Sequence, residues 1–169
     1  EAIELEGREG NKDNLDNFYE FSHIWRPNIT AARSHGREDV KNILLDEVVN
    51  LIQAHANNLE ILKQFTRILK EQTYALFRRV EMHLYYVSQQ NFEAETAAIL
   101  SDERVIYAYN LRREYFPLLD KAFSTLSEEV QLKILSAIDK GPKFEKRDDF
   151  NDEEFARAQD DWRNRYYTP

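Results

Sequence analysis

Residues 38–56 read EDVKNILLDEVVNLIQAHA. Val40, Ile43, Leu44, Val48, Leu51, Ile52 and His55 recur at steps of three and four, which puts them on one stripe of an α-helix. Glu38, Lys41, Asn42, Asp46 and Asn50 fall elsewhere on the wheel. A half-buried strand needs alternation at every second residue, and no segment of the chain alternates over a useful length. Asn57-Asn58 breaks the pattern. The same spacing then resumes in residues 58–72, with Leu62, Phe65, Ile68 and Leu69 expected inward. Residues 74–90 follow, with Leu76, Phe77, Val80, Leu84 and Val87 expected to be buried.

Working outward, the remaining segments obey one grammar. Upstream, Leu15, Phe18, Tyr19, Ser22 and Trp25 keep helical spacing until Pro27 stops them. Residues 28–37 read as a loop around Gly36, and residues 1–14 as a charged, flexible lead-in. Downstream, helices are predicted over 92–100, 102–109 and 110–126. The last of these carries Pro117 at a kink, or at a break with Pro117 in a first turn. Ser101 and Asp102 are capping residues, and Ser127 caps a helix over 128–140 that Gly141-Pro142 terminates. Asn151 with Glu154 three positions on resembles a capping box opening a last helix over 152–167, anchored by Phe155, Trp162 and Tyr166. The expectation is an all-α chain of seven to nine antiparallel helices, either a helical bundle or an α-solenoid slab, forming one domain over 15–169.

Composition narrows the function. The 169 residues include 23 Lys+Arg against 31 Asp+Glu, a net charge of −8. Nucleic-acid binders draw much of their affinity from a basic footprint, so binding through Arg33, Arg37, Arg78, Arg79, Arg112 and Arg113 is disfavoured. Cysteine is absent, which removes thiolate metal sites and cysteine nucleophiles. No stretch approaches the roughly 18–20 apolar residues of a membrane span, and a cytoplasmic location is expected. His23, His35, His55 and His83 show no helical metal-ligand spacing. The acidic run Asp148, Asp149, Asn151, Asp152, Glu153 and Glu154 lacks the glycine and spacing of a calcium loop. No phosphate-binding loop or serine elbow is present. No cofactor and no metal are therefore expected.

Arg78 and His83 form an Arg-x4-His pattern that resembles the short motif of HEPN ribonucleases. There the histidine would act as acid or base and the arginine would hold phosphate. Five residues at about 100° each place the two side chains roughly 140° apart on a regular helix. The plainer reading makes His83 a core-edge residue one turn from Arg79. The aromatic residues Tyr85, Tyr86, Tyr107, Tyr109, Trp162, Tyr166 and Tyr167 are candidates for a protein interface, because half-buried tyrosine suits helix packing and partner surfaces alike.

Three stretches share a further likeness: SHIWRPNI over 22–29, FRRVEMHL over 77–84, and REYFPLLDKAFSTLSEEVQLKILSAIDKGP over 113–142. They resemble a helical region in the C-terminal half of large bacterial signal-transducing NTPases of the STAND/NACHT type, associated with antiphage defence. The resemblance implies a sensing or scaffolding arm with nucleotide hydrolysis elsewhere, and it carries no functional residue over to this chain. The expected role is a non-catalytic scaffold or recognition domain, cut from a larger protein, that contacts protein or adjacent domains. The HEPN-like ribonuclease is the alternative.

Overall fold

The computed structural model describes residues 21–30, 40–141 and 151–167. All regular structure among them is helical. In order these are α1 (Ser22–Trp25), α2 (Val40–Ala54), α3 (Leu59–Lys70), α4 (Ala75–Val87), α5 (Glu93–Leu100), α6 (Glu103–Tyr107), α7 (Arg112–Ala122), α8 (Glu128–Lys140) and α9 (Asp152–Tyr167). Short 3-10 turns join α4 to α5 and flank α7 on both sides. The lead-in over 1–14, most of the predicted first helix, and Arg33, His35, Arg37, Asp148 and Asp149 lie outside the described residues.

The helix ends sit where local chemistry places them. Asn58 accepts from the Ile61 amide and opens α3. Asp102 accepts from the Arg104 amide at 2.9 Å and opens α6, and Ser127 does the same for α8 through Val130. The capping box before α9 is reciprocal. The Glu154 amide donates to Asn151 Oδ1 at 2.9 Å, and the Asn151 amide donates to Glu154 Oε2 at 3.0 Å. Such caps satisfy amides that a first helical turn leaves unpaired. Gly141 ends α8 at φ 67°, a conformation that favours glycine. Of the two alternatives for Pro117, the break with Pro117 in a first turn is not what forms, because Pro117 sits well inside α7. Pro117 and Arg113, the residue whose carbonyl its ring leaves unbonded, are both exposed, so water can reach that carbonyl.

The bundle is organised around α4. That helix packs on α1, α2, α3, α5 and α7, most extensively on α7. In a solenoid each repeat touches only its sequence neighbours, so the slab alternative does not describe this arrangement. Seven consecutive α4 residues, Arg79 to Tyr85, are buried. Of these, Met82 and Leu84 share one core with Leu62, Ile106, Leu111 and Ile134. Among the described residues no helix is long and apolar enough to cross a membrane.

Two inward faces differ from the sequence reading. On α2 the buried residues are Leu45, Val49 and Ile52, while Val40, Leu44 and Leu51 point outward. On α3, Thr66 is buried beside Leu62 and Leu69, and Ile68 is exposed. In α2 the apolar residues cover more than half the wheel, so periodicity alone does not choose which sector faces the core.

Candidate functional site

A helix buried on all sides is normally apolar, yet α4 carries Arg79, Glu81 and His83 inside the bundle. Each needs an explanation, because a buried charge is costly unless paired and hydrogen-bonded. Arg79 is fully buried and makes a two-pronged ion pair with Glu114 of α7. Its Nε donates to Oε2 at 2.7 Å and an Nη donates to Oε1 at 2.8 Å. The remaining guanidinium hydrogens donate to Ser22 Oγ at 3.2 Å and to the carbonyls of Arg26 and Pro27 at 2.7 and 3.1 Å. Glu114 also accepts from the Ile29 amide at 3.2 Å. Arg26 reaches the Ile29 carbonyl and Asp46 of α2. The planar fork of arginine matches this arrangement, and lysine does not. The three stretches quoted for the family likeness thus meet at one point, through Ser22 to Ile29, Arg79 and Glu114. These bonds tie the Ser22–Ile29 segment to α2, α4 and α7, so the cluster binds α1 to the core.

Glu81 projects to the other side of α4. It pairs with Arg78 and accepts from the Tyr85 hydroxyl at 2.6 Å. Burial, with the Glu81 carboxylate next to it, pushes the Tyr85 hydroxyl far above its ordinary value. A pocket of about 430 Å³ opens here between α4, α5 and α6. Its charges are largely engaged with each other: Arg78 with Glu81, and Arg104 with Asp102 at 2.8 Å. Burial opposes ionisation of Asp102, but the Arg104 hydrogen bonds outweigh it and hold the carboxyl below its usual value.

His83 does not join this pocket. It is only 6% exposed and stacks beside Tyr86, with ring centroids 6.5 Å apart. Its Nε2 makes no hydrogen bond among the described residues. The structure therefore places Arg78 and His83 in different surroundings, Arg78 in the lining of this pocket and His83 outside it. Burial lowers the His83 pKa from 6.5 to about 4. The sign follows. As pH falls from about 6.5 the unfolded chain takes up the proton, while the folded chain resists until about 4. Stability conferred by the neutral ring is full above that window and is lost as pH falls through it. His83 in the folded chain is expected to show no titration near 6.5 in an NMR titration, and His83→Leu to flatten the acid slope of stability. A folded-state midpoint near 6.5 would refute the burial described here.

The candidate interface aromatics divide. Tyr85 and Trp162 are buried, and Tyr107 and Tyr166 are half-buried. The Tyr107 hydroxyl donates to the Ala137 carbonyl at 3.0 Å, and the Tyr166 hydroxyl donates to the Ile106 carbonyl. Trp162 packs against Tyr166 and Tyr107 at 4.7 and 5.7 Å. Tyr107, Trp162 and Tyr166 hold α9 and the core together, whereas Tyr85 packs against Phe92. Tyr86, Tyr109 and Tyr167 are exposed. Of the basic candidates, Arg79 is internal, Arg78 is paired, and Arg112 lies over the rings of Tyr109 and Trp162. Arg113 alone of these four is exposed. His23, packed edge-on to Tyr109, and His55 are part-buried in separate places. No cluster of potential metal ligands occurs among the described residues.

Sequence reasoning missed a groove of about 910 Å³ between α7, α8 and α9. Phe116, Leu119, Phe123, Leu135, Ile138 and Tyr166 supply its apolar surface. Asp120 of α7 and Arg165 of α9 are the charges that line it, and neither forms an ion pair among the described residues. No signal local in sequence reveals it, because its walls come from three helices whose individual patterns look like ordinary core faces. Its size and apolar character match a binding site, and its helical walls match a helix-in-groove mode of recognition. No protein-family model, curated protein or solved structure significantly matches this chain.

Proposed function

We propose that this chain is a non-catalytic helical scaffold or recognition module of a larger bacterial protein, and that it contacts protein through the groove between α7, α8 and α9. The groove is the observation that carries the reading. A soluble helical surface rarely leaves so large an apolar concavity without a use. Supporting it, Arg79 and Glu81 of α4 are engaged internally, and Arg78 lines a pocket that His83 does not line. The likeness of three stretches to arms of STAND/NACHT-type NTPases agrees with a sensing or scaffolding role.

A displayed library of amphipathic helical peptides tests it. Peptides with apolar residues at i, i+3 or i+4, and i+7 are expected to be enriched on the wild-type chain. Their binding is expected to drop at least tenfold with Leu135→Glu, a change at a half-exposed groove position. Enrichment insensitive to that substitution, or none, would sink the proposal. So would RNA cleavage by the purified chain that disappears in His83→Ala, which would favour the nuclease.

A further inference from the structure

The outward face of α2 is the counterpart of the groove. Val40, Leu44 and Leu51 are 67%, 61% and 45% exposed. At 100° per residue they fall within a sector of about 40°, and from Val40 to Leu51 they run about 16 Å along the axis. Lys41 and Glu47 border this stripe on opposite sides, each about 60° from Leu44, and both are exposed. Lys41 rests over the Trp25 ring, with its ammonium 5.3 Å from the centroid. The stripe is a helix face bearing one cation and one anion. The groove is a helix-sized concavity bearing Asp120 and Arg165. The two surfaces are complementary in shape class, in apolar character and in charge. They do not meet within one molecule, since no α2 residue lines the groove.

We infer that the occupant of the groove is α2 of a second copy of this chain, with Glu47 directed to Arg165 and Lys41 to Asp120. The inference rests on the protein-binding reading above and names its partner. Such a contact uses different surfaces on the two copies, so it repeats head to tail rather than closing on a two-fold axis. The pair as a whole keeps one free stripe and one free groove for further copies.

Sedimentation velocity on the full chain tests this. The mass-average is expected to rise with concentration past that of a dimer. Leu44→Glu removes the stripe and Leu135→Glu removes the groove, and each variant alone is expected to remain monomeric. Mixed in equal amounts, they are expected to form a heterodimer that grows no further, because one retains a groove and the other a stripe. Glu47→Arg is expected to weaken assembly, and Arg165→Glu in the same chain to restore it. Val40→Glu and Asp120→Arg, both at exposed positions, repeat the test if either leucine variant misfolds. A wild type that stays monomeric at all concentrations would overturn the inference, as would a dimer that survives Leu135→Glu. A monomeric chain that still binds groove-directed peptides overturns self-assembly alone, whereas a chain that does neither overturns the protein-binding reading as well.

Discussion

Arg79→Ala should cost about 3–5 kcal/mol of unfolding free energy, the range measured when one partner of a buried pair is removed. The loss exceeds that of an ordinary hydrogen bond because Glu114 stays behind, buried and without its counter-ion. The carbonyls of Arg26 and Pro27 and the Ser22 hydroxyl lose their donor together. Arg79→Lys should recover little, since a single ammonium cannot reproduce a two-pronged bond and three further donations. The combined change Arg79→Met with Glu114→Leu should recover most of the stability, because it removes both charges and keeps the volume. Urea unfolding of the three variants beside the wild type checks this. A double variant no better than Arg79→Ala would mean that the cost lies in the detached α1 rather than in the stranded carboxylate.

Trp162→Ala should cost about 3–5 kcal/mol, the usual range for truncating a buried tryptophan. Trp162 is the buried anchor of α9 and touches Tyr107, Tyr166 and the Arg112 guanidinium. Much of this loss should appear locally. With the indole gone, α9 retains Tyr166 against Phe116 at 4.9 Å as its chief packing contact. Amide exchange within Asp152–Tyr167 should accelerate at least a hundredfold before α4 amides respond. Uniform acceleration across the chain would show instead that α9 is part of one cooperative unit. Because α9 is a wall of the groove, the same substitution should abolish groove-directed peptide binding.

Helix existence and helix ends were legible in the sequence because both are local. Period 3.6 marks the helices. Ser127, Asp102, Asn151 with Glu154, and Gly141 mark the termini within three residues of where they act. Orientation was not legible where the apolar sector is broad. In α2 the choice between the sector of Leu44 and that of Leu45 is made by α4, which no α2 residue encodes alone. The Arg79–Glu114 pair was hidden for the same reason, since its partners lie 35 positions apart. An arginine in a mostly apolar helix reads as a surface residue until its acceptor is placed. The aromatic residues stand out in the sequence, but their identity does not say whether a ring faces a neighbour in the same chain or the outside. Tyr85 and Tyr86 are adjacent and have opposite fates. The groove required three helices to be in position before it existed.

The anchoring of the α1 segment also sets an order on biosynthesis. Four residues cannot sustain a helical turn without outside contacts. The Ile29 amide waits for a carboxylate 85 positions later in the chain. At about 5–20 residues per second on the ribosome, that acceptor emerges roughly 4–17 s after the donor. During this interval the α1 segment can reach Asp46 and then Arg79 but not the carboxylate that completes its site, and Ile29 is available to chaperones. A slow-codon cluster ahead of Glu114 would lengthen that exposure.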